Sequence, residues 1–316
     1  MLNAVPTKEN ILEAEKRIKK FIHRTPILTS ESINGISGAK LFFKCENFQK
    51  VGAFKFRGAT NAILSLPKEE LSRGVATHSS GNHAAALSLA AIMNGVPAYI
   101  VMPKTAPKIK IDAVKEYGGI ITFCEPTLEA RETELKKVVE KTGATFVHPY
   151  DNYDIIAGQA TCAKEIIESV ENIDYILAPV GGGGLLSGTA LSAKYFGENI
   201  KVSAAEPEGA DDAFRSLRDG KIYPSTDPNT IADGLLTSLS EKTFEIIENN
   251  VEEIITVSDE EIIYAMRMIW ERMKIIVEPS SAVTLAAVLK QKTKFADKKI
   301  ALILSGGNVD LENLPF

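Results

Sequence analysis

Lys55 lies in the segment VGAFKFRGA, residues 51–59, where Phe54 and Phe56 flank it and small residues stand on either side. A lysine on an exposed helix surface does not require such neighbours. Burial among aromatic and small residues lowers the pKa of an amine, and a neutral amine is a nucleophile. The segment therefore indicates a lysine that takes part in chemistry.

Four consecutive glycines, Gly181, Gly182, Gly183 and Gly184, follow an apolar run and precede a helical pattern. Such a turn lets several backbone N–H groups converge on one anion, and the helix adds its positive end. The spacing fits neither GxxxxGK[ST] nor GxGxxG followed by an acidic ribose ligand. A tightly packed turn is the alternative, but four adjacent glycines are costly for that purpose alone, so we favour a phosphate site.

Two further turns carry polar side chains. In THSSGNHAAAL, residues 77–87, the side chains of Ser79, Ser80, Asn82 and His83 crowd the first turn of a predicted helix, where free N–H groups can hold a carboxylate. In LILSGGNVDL, Ser305 ends an apolar strand, where a hydroxyl needs a partner. Taken alone, the first turn is equally compatible with a helix cap and the second with an ordinary turn.

The elements that must position these residues alternate between short β-rich runs and longer helical patterns. The predicted strands are LFFKCE, GVATHS, AYIVMP, GIITFCE, TFVHP, YILAPVG, VSAAEP, IITVS and IALILSGG. Helical patterns include residues 81–94, 107–117, 128–141, 155–170, 184–196 and 259–274. This alternation predicts an α/β fold of parallel sheets with crossover helices. Ligands of open α/β sheets bind at the carboxyl ends of the strands, where these turns lie.

The composition excludes several classes of protein. With 316 residues, 45% of them hydrophobic, the chain can bury the cores of two lobes. The net charge of -5 arises from interspersed charges without a basic run, so we expect no nucleic-acid partner. We find neither a signal segment nor an apolar run of membrane-spanning length, and expect a soluble, cytoplasmic protein without a membrane partner. Cys45, Cys124 and Cys162 match no zinc or disulfide pattern and are expected to be structural thiols.

Four features together match the needs of pyridoxal phosphate. They are the lysine, the glycine turn (residues 181–184), the polar turn (residues 79–83) and the strand-terminal serine Ser305. This cofactor bonds to a lysine, is anchored by its phosphate and needs a partner for its ring nitrogen. From HRTPILTS to LSGGNVDL, the chain resembles the fold-type II pyridoxal-phosphate enzymes of the serine racemase and serine/threonine dehydratase group. The resemblance implies a two-domain, tryptophan synthase β-like α/β fold. Residues 1–73 and 152–316 would form a large cofactor-binding domain, and residues 74–151 a small mobile domain that closes over the substrate.

The resemblance also implies the roles of the cofactor-binding residues. Lys55 matches the lysine that bonds to the cofactor, Phe54 its neighbour at the ring, and Asn82 the asparagine that bonds the ring hydroxyl. The four glycines match the phosphate loop, and Ser305 the serine that faces the pyridine nitrogen. A serine there does not enforce protonation of the nitrogen, which suits elimination or reprotonation at Cα better than transamination. The remaining members of the implied set are Gly234 and Glu278.

The implied substrate site contains Ser79, Ser80, Asn82, His83 and Arg131. Ser80 matches the acid/base group on the cofactor face opposite Lys55. Racemisation needs both, because one group removes the α-proton and the other returns it to the opposite face. Arg131, in LEARETE, matches an arginine that meets the second carboxylate of dicarboxylic ligands, with a solvated helix arginine as the alternative.

In SAAEPEGADDA, residues Glu206, Ala210 and Asp212 match the divalent-cation site of the racemases. Two carboxylates and a backbone carbonyl are hard oxygen ligands, suited to Mg²⁺ and also to Ca²⁺ or Mn²⁺. The alternative interpretation is an acidic loop that follows a strand, which the spacing alone does not exclude.

The chain departs from the family pattern at several positions. Ala53 replaces a more usual serine, a change that the family tolerates. Ala85 stands where mammalian racemases have a glutamine of a nucleotide effector site, which argues against ATP as an effector. Tyr150 replaces an asparagine and changes the expected substrate pocket. Since the chain ends shortly after SGGNVDL, we expect no C-terminal regulatory domain and no feedback inhibition by isoleucine.

The resemblance implies a homodimer with serine racemase activity that also eliminates the hydroxyl of L-serine or L-threonine, giving pyruvate or 2-oxobutanoate with ammonia. A threo-3-hydroxyaspartate dehydratase, which gives oxaloacetate and ammonia, and a catabolic threonine dehydratase are the alternatives among amino-acid substrates. A Rossmann oxidoreductase would need a dinucleotide fingerprint that the sequence lacks. A non-catalytic, phosphate-binding regulator would keep the glycines but has no use for Lys55.

Overall fold

A computed structural model of the chain describes residues 2–79, 81–106 and 108–316. The strands are β1 (Ile27–Leu28), β2 (Lys40–Cys45), β3 (Val75–His78), β4 (Ala98–Pro103), β5 (Ile120–Cys124), β6 (Thr145–Phe146), β7 (Tyr175–Pro179), β8 (Lys201–Pro207), β9 (Glu253–Val257) and β10 (Lys299–Leu304). The helices are α1 (Lys8–Ile18), α2 (Glu31–Ser37), α3 (Lys55–Ser65), α4 (Lys68–Arg73), α5 (Asn82–Ile92), α6 (Lys108–Glu116), α7 (Leu128–Thr142), α8 (Tyr153–Ser169), α9 (Gly184–Phe196), α10 (Asp212–Asp219), α11 (Glu241–Asn250), α12 (Asp259–Met273), α13 (Pro279–Lys290) and α14 (Lys292–Phe295).

The larger sheet has six strands in the order β1-β2-β10-β7-β8-β9. All its pairs are parallel except β1 with β2. The central strands β7 and β10 are buried almost throughout, as apolar strands covered by helices on both faces should be. Strand β1 was not predicted, because two residues on an edge carry no readable periodicity.

The smaller sheet has four parallel strands in the order β5-β4-β3-β6. Its strands lie between residues 75 and 146, inside the range predicted for a small domain. Edge strand β5 leaves Ile120 and Phe123 exposed. The division of the chain into a large domain and a mobile small domain stays a prediction.

Helices α3 and α8 cross at two glycines and hold the segment that leads into the site. A Cβ atom on Gly158 would lie 2.7 Å from the Cα of Gly58. Only glycine permits this backbone contact, because any side chain at the crossing would force the helices apart. The three cysteines are buried free thiols, as expected. In the part of the chain described above, no helix has the length and apolar character needed to cross a membrane.

Candidate active site

Lys55 is the first residue of α3, and its amine is partly buried. Its Nζ donates a hydrogen bond to the carbonyl of Pro149 at 3.1 Å and lies 5.2 Å from the centre of the Phe54 ring. Burial lowers the pKa of Lys55 to about 8, although the Glu278 carboxylate acts in the opposite direction. A substantial neutral fraction therefore exists near neutral pH, as the aromatic and small neighbours predicted.

The Lys55 segment is bound to the end of strand β10. The backbone N–H of Phe54 donates to the carbonyl of Ser305 at 2.9 Å, and Ala53 forms an isolated antiparallel bridge with Gly306. These bonds bring the first turn of α3 and the strand-terminal serine together, although 250 residues separate them in the sequence.

Ser305 is only 3% exposed, and its Oγ lies 3.1 Å from the Oγ of Ser281. The Ser281 hydroxyl donates to the Gly306 carbonyl at 2.6 Å and accepts from the Gly306 N–H at 2.7 Å. Because the Ser281 proton is used in this way, Ser305 is the donor in the contact between the two hydroxyls. Ser281 was not predicted, although its position in EPSSAV at the start of a helix was a signal that could have indicated it.

The glycine turn is buried, and it leads into α9 at Gly184. Gly183 has φ +84°, and a Cβ atom there would lie within 2.9 Å of Leu239, Thr243 and Ile247. Helix α9 has no side-chain cap, so the N–H groups of its first turn are available to an anion. The turn therefore fits a phosphate group, and side chains larger than glycine do not fit the turn.

The polar turn follows β3, but its arrangement differs in part from the prediction. Helix α5 begins at Asn82, so Ser79 precedes the helix and does not belong to its first turn. The Ser79 Oγ accepts the N–H of Gly81 at 3.3 Å. Asn82 Nδ2 donates to the two carboxylate oxygens of Glu278 at 3.0 and 3.1 Å. Ser80, predicted to be catalytic, lies outside the described residues.

Glu278 connects the polar turn to the C-terminal segment. It is 4% exposed, and burial raises its pKa to about 7. The N–H of Asn308 donates to Glu278 at 3.2 Å, while Asn308 Nδ2 donates to Asn82 Oδ1 at 2.8 Å. A Cβ atom on Gly234 would lie 3.9 Å from Glu278 Oε1, which places Gly234 beside this carboxylate. Asn308 was missed, although it stands inside the SGGNVDL motif.

Histidines gather at the carboxyl ends of β3 and β6. His83 Nε2 lies 3.2 Å from the Val147 carbonyl, whereas its Nδ1 is buried and has no partner among the described residues. Burial holds the pKa of His83 well below its usual value and lowers that of His148 to about 4. His148 packs edge-on against His78, whose pKa is also lowered by burial. These three rings lie together on the side of the smaller sheet, and burial favours their neutral form.

Arg131 lies in the first turn of α7, close enough to His78 for its charge to lower the histidine pKa after the larger effect of burial. Its Nε is buried and makes no hydrogen bond within the described ranges. An ordinary solvated arginine would expose this atom to water. The position is therefore compatible with the predicted contact to a second carboxylate.

Glu206 and Asp212 are both 1% exposed, and Ala210 ends the short turn Glu208–Ala210 between them. Glu206 accepts the N–H groups of Ala213 and Phe214, yet burial raises its pKa to about 9. Neither carboxylate oxygen of Asp212 accepts a hydrogen bond in the described part of the chain, and burial raises its pKa as well. A buried carboxylate without a hydrogen-bond partner among the described residues, as at Asp212, fits a cation site. No group of three or more His, Cys, Asp or Glu side chains forms a cluster in those same residues, so a cation here needs further oxygen ligands.

Residues 18–306 match the family of pyridoxal-phosphate dependent enzymes. The chain belongs to this family. It is therefore an enzyme whose cofactor is pyridoxal phosphate, which removes the regulator and Rossmann alternatives. The lysine of lowered pKa, the uncapped helix start and the buried serine hydroxyl are the groups that this cofactor needs, so the residues present fit it.

Similar proteins of known structure and function cover nearly the whole chain. It is 55% identical to a serine racemase of Dictyostelium discoideum over 98% of this chain and 97% of that protein. The crystal structure of that racemase superimposes with a TM-score of 0.93 and covers 98% of this chain and 100% of the other. A β-hydroxyaspartate dehydratase of Paracoccus denitrificans is 53% identical over 99% of each chain. The crystal structure of the T.th. threonine deaminase is 40% identical, with a TM-score of 0.92 over 97% of this chain and 99% of that one. These likenesses confirm the predicted fold-type II α/β fold.

Proposed function

We propose that the protein is a serine racemase that also eliminates the hydroxyl of L-serine and L-threonine, giving pyruvate or 2-oxobutanoate with ammonia. The observation that carries the proposal is the backbone bond from Phe54 to Ser305, which joins the Lys55 segment to the strand-terminal serine, in a chain 55% identical to a serine racemase. The dehydratase and the threonine deaminase among its relatives support the elimination activity.

The residues that would hold the cofactor come from both sheets. Pyridoxal phosphate, when bound, withdraws electrons from the bonds of the substrate Cα and so makes the α-proton removable. Residues 181–184 would bind its phosphate through backbone N–H groups and the start of α9. Asn82 would meet the ring hydroxyl and Ser305 the ring nitrogen, with Phe54 beside the ring. Gly234 and Glu278 border the same region.

Lys55 would move the α-proton on one face of the substrate, because an amine with a pKa of about 8 can both accept and donate a proton near neutral pH. Ser79, Asn82 and His83 would hold the substrate carboxylate at the start of α5. Inversion at Cα needs a second proton-transfer group on the opposite face, and we assign Ser80 to it. A serine hydroxyl is a poor base, so neighbouring groups must lower its pKa.

The experiment that tests the proposal is a panel of L-serine, L-threonine and threo-3-hydroxyaspartate, each assayed for keto acid and for D-amino acid. In Ser80→Ala we expect D-serine formation to be lost and much of the pyruvate formation to remain, since elimination requires only the Lys55 face. A variant that racemises L-serine as fast as the parent contradicts the role of Ser80.

The second candidate function is dehydration of threo-3-hydroxyaspartate. It is favoured by the Nε of Arg131, which has no partner within the described ranges, and by the 53% identity to a β-hydroxyaspartate dehydratase. Arg131→Ala should weaken malonate binding by about 2–5 kcal/mol, because a desolvated carboxylate loses its charge-assisted partner. Lys137→Ala on the exposed face of the same helix is the control, and should leave the affinity unchanged. Equal malonate affinity in the parent and in Arg131→Ala counts against this function.

We also propose that Glu206, Asp212 and the carbonyl of Ala210 bind Mg²⁺, with Ca²⁺ or Mn²⁺ as the other candidates. With chelator, the free energy of unfolding should fall as pH rises from about 7 to 8.5. The folded chain retains the Glu206 proton up to a pKa of about 9, while an unfolded chain releases it near 4.5. Mg²⁺ should reverse this loss by binding the ionised carboxylates.

Thermal unfolding at both pH values, with chelator and with Mg²⁺, measures this effect. Glu206→Gln should abolish both the pH-dependent loss and the response to Mg²⁺. Identical unfolding temperatures with and without Mg²⁺ at the higher pH contradict the cation site.

The assembly and location of the protein belong to the same proposal. We infer a cytoplasmic homodimer without ATP activation, in which residues 74–151 form a mobile domain beside residues 1–73 and 152–316. The separate four-stranded sheet between residues 75 and 146 supports the division. Sedimentation equilibrium tests the dimer, cell fractionation the location, and hydrogen exchange with and without malonate the domain motion.

A further inference from the structure

Four buried charged residues meet at the first turn of α3, the helix that begins at Lys55. Arg57 is 0% exposed, and its Nε and Nη2 donate to the two carboxylate oxygens of Glu46, both at 2.8 Å. Its Nη1 and Nη2 donate to the two oxygens of Glu165 at 2.8 and 2.9 Å. The fourth member, Lys44, donates from Nζ to Glu165 at 2.6 Å. The planar guanidinium thus binds two carboxylates at once.

The partners of Arg57 connect α3 to two other elements. Glu46 directly follows strand β2, and Lys44 lies within that strand. Glu165 belongs to α8, as does Thr161, whose Oγ1 accepts from Arg57 Nη1 at 3.2 Å. One side chain, two residues after Lys55, therefore holds the helix start against a strand and a neighbouring helix at the same time.

A second contact fixes the same turn. Helix α3 begins without a side-chain cap of its own. The N–H of Gly58 donates instead to Gln159 Oε1 of α8 at 3.2 Å, so the cap comes from another helix. A Cβ atom on Gly58 would lie 2.9 Å from the carbonyl of Ile155, so the two backbones are in contact there. The helix start has little freedom to shift.

The four charges do not account for the lowered pKa of Lys55, so their influence is on where the Lys55 amine lies. Two cations and two carboxylates cancel, and the pKa of Lys55 responds to burial and to Glu278 instead. Within the cluster, the Arg57 guanidinium keeps the pKa of Glu46 below its usual value even though burial acts to raise it. The Arg57–Glu46 pair therefore stays charged across the pH range in which Lys55 titrates.

We propose that Arg57 is a positioning residue, whose buried guanidinium holds the first turn of α3 so that Lys55 Nζ meets the aldehyde carbon of the cofactor. In that step Nζ bonds to the aldehyde carbon, and the aldehyde oxygen leaves as water with the two amine hydrogens. Misplacement of a reacting group by about 1 Å costs about 100-fold in rate. The inference rests on the role proposed for Lys55, and does not depend on whether the enzyme racemises or eliminates.

The test compares the cofactor-free parent with Arg57→Met and Arg57→Lys at a temperature where circular dichroism shows each variant folded. Lys164→Met is the matched control, because Lys164 is likewise a buried cation, located on α8 and paired with Glu15 and Glu168. One measurement is the rate at which pyridoxal phosphate forms a borohydride-trapped bond to Lys55, located by peptide mass spectrometry. The other is the Kd of pyridoxine 5'-phosphate, which has the phosphate and ring but no aldehyde.

We expect Arg57→Met to form the bond at least about 10-fold more slowly than the parent, while its pyridoxine 5'-phosphate affinity changes by less than about threefold. Arg57→Lys should recover part of the rate, because an ammonium keeps the charge but lacks the planar fork. Lys164→Met should lose stability and keep the parent rate. A parent rate in folded Arg57→Met overturns the proposal, and so does an equal loss of rate and affinity, which indicates general damage to the site.

If Arg57→Met does not fold, Arg57→Lys performs the same test, because its ammonium cannot bind both carboxylates as the planar guanidinium does. A slower bond formation at unchanged pyridoxine 5'-phosphate affinity supports the proposal, and a parent rate overturns it. In Lys55→Ala, a trapped bond at another lysine overturns the role of Lys55 and this inference with it. The substrate panel decides the proposed reaction separately.

Discussion

The two sheets contribute to the active site in different ways. On the six-stranded side, the segments that carry Lys55 and Ser305 are joined through the backbone, with Phe54 N–H donating to the Ser305 carbonyl at 2.9 Å. The four-stranded side reaches the same place through side chains, as in the contact of Asn82 with Glu278. A backbone bridge cannot be released without unfolding the segment, whereas a side-chain contact can open and re-form.

The two sheets also differ in how deeply their strands are buried. On edge strand β9, Ile254 and Ile255 are 5% and 4% exposed, but on edge strand β5 Ile120 is 50% and Phe123 is 44% exposed. A layer that buries less apolar surface opens at a lower free energy. The comparison supports a cofactor-binding side that is held rigidly and a substrate side that moves.

Lys55→Ala has the largest expected effect, because it removes the one group that we assign to covalent binding of the cofactor. We expect complete loss of the borohydride-trapped cofactor and of both D-serine and pyruvate formation. The fold should persist, since among the described residues the Lys55 amine donates only to the Pro149 carbonyl. Absorbance after borohydride treatment and circular dichroism measure the two outcomes, and an adduct that moves to another lysine argues against the assignment.

The pH dependence of covalent cofactor binding is the next largest effect. Burial sets the pKa of Lys55 at about 8, and only the neutral amine bonds to the aldehyde. Below that pKa the rate should fall by about tenfold per pH unit, and above it the rate should level off. Stopped-flow absorbance from about pH 6 to 9.5 gives the profile. A rate that still rises about tenfold per pH unit at pH 9.5, as the ordinary lysine pKa of 10.5 requires, contradicts the proposed environment.

A matched pair of glycine substitutions compares the anion-binding turns of the two sides. Gly183→Ala places a Cβ at φ +84° within 2.9 Å of three side chains, and should cost about 2–4 kcal/mol of unfolding free energy together with cofactor affinity. Gly81 has φ −134°, and among the described residues a Cβ there would meet only Lys110 Nζ at 3.9 Å, so Gly81→Ala should cost about 0.5 kcal/mol or less. Urea unfolding and cofactor titration measure both, and equal costs remove the distinction between the sides.

Lys110→Met has the smallest expected effect. The Lys110 ammonium lies on α6, on the four-stranded side, and pairs with Asp233 on the six-stranded side. The Asp233 side chain is 49% exposed. Such a pair is worth about 1 kcal/mol or less, which corresponds to at most about a fivefold rise in KM for L-serine with kcat little changed. Lys104→Met breaks a fully solvated pair with Glu125 and is the control. The same KM in both variants shows that the pair does not hold the sides together.

Local patterns were sufficient for the elements that carry the site. Strand β4 was predicted at the residues where it lies, because AYIVMP is an uninterrupted apolar run. The glycine turn and Ser305 could be recognised because each stands directly after such a run. The placement of Ser79 in the first turn of α5 was wrong. Gly81 is the N-cap and the helix begins at Asn82, so Ser79 precedes the cap by two residues.

The sequence by itself determined the α/β class, the cofactor lysine candidate and the strand-terminal turns, because these depend on residues within one segment of the chain. Only the tertiary structure decided which of those turns meet. Arg57 shows the limit most clearly: in the sequence it is one arginine in AFKFRGA, and its carboxylate partners lie 11 and 108 residues away. Burial gives the contact its strength, and burial depends on the packing of β2, α3 and α8 against one another, which no local pattern specifies.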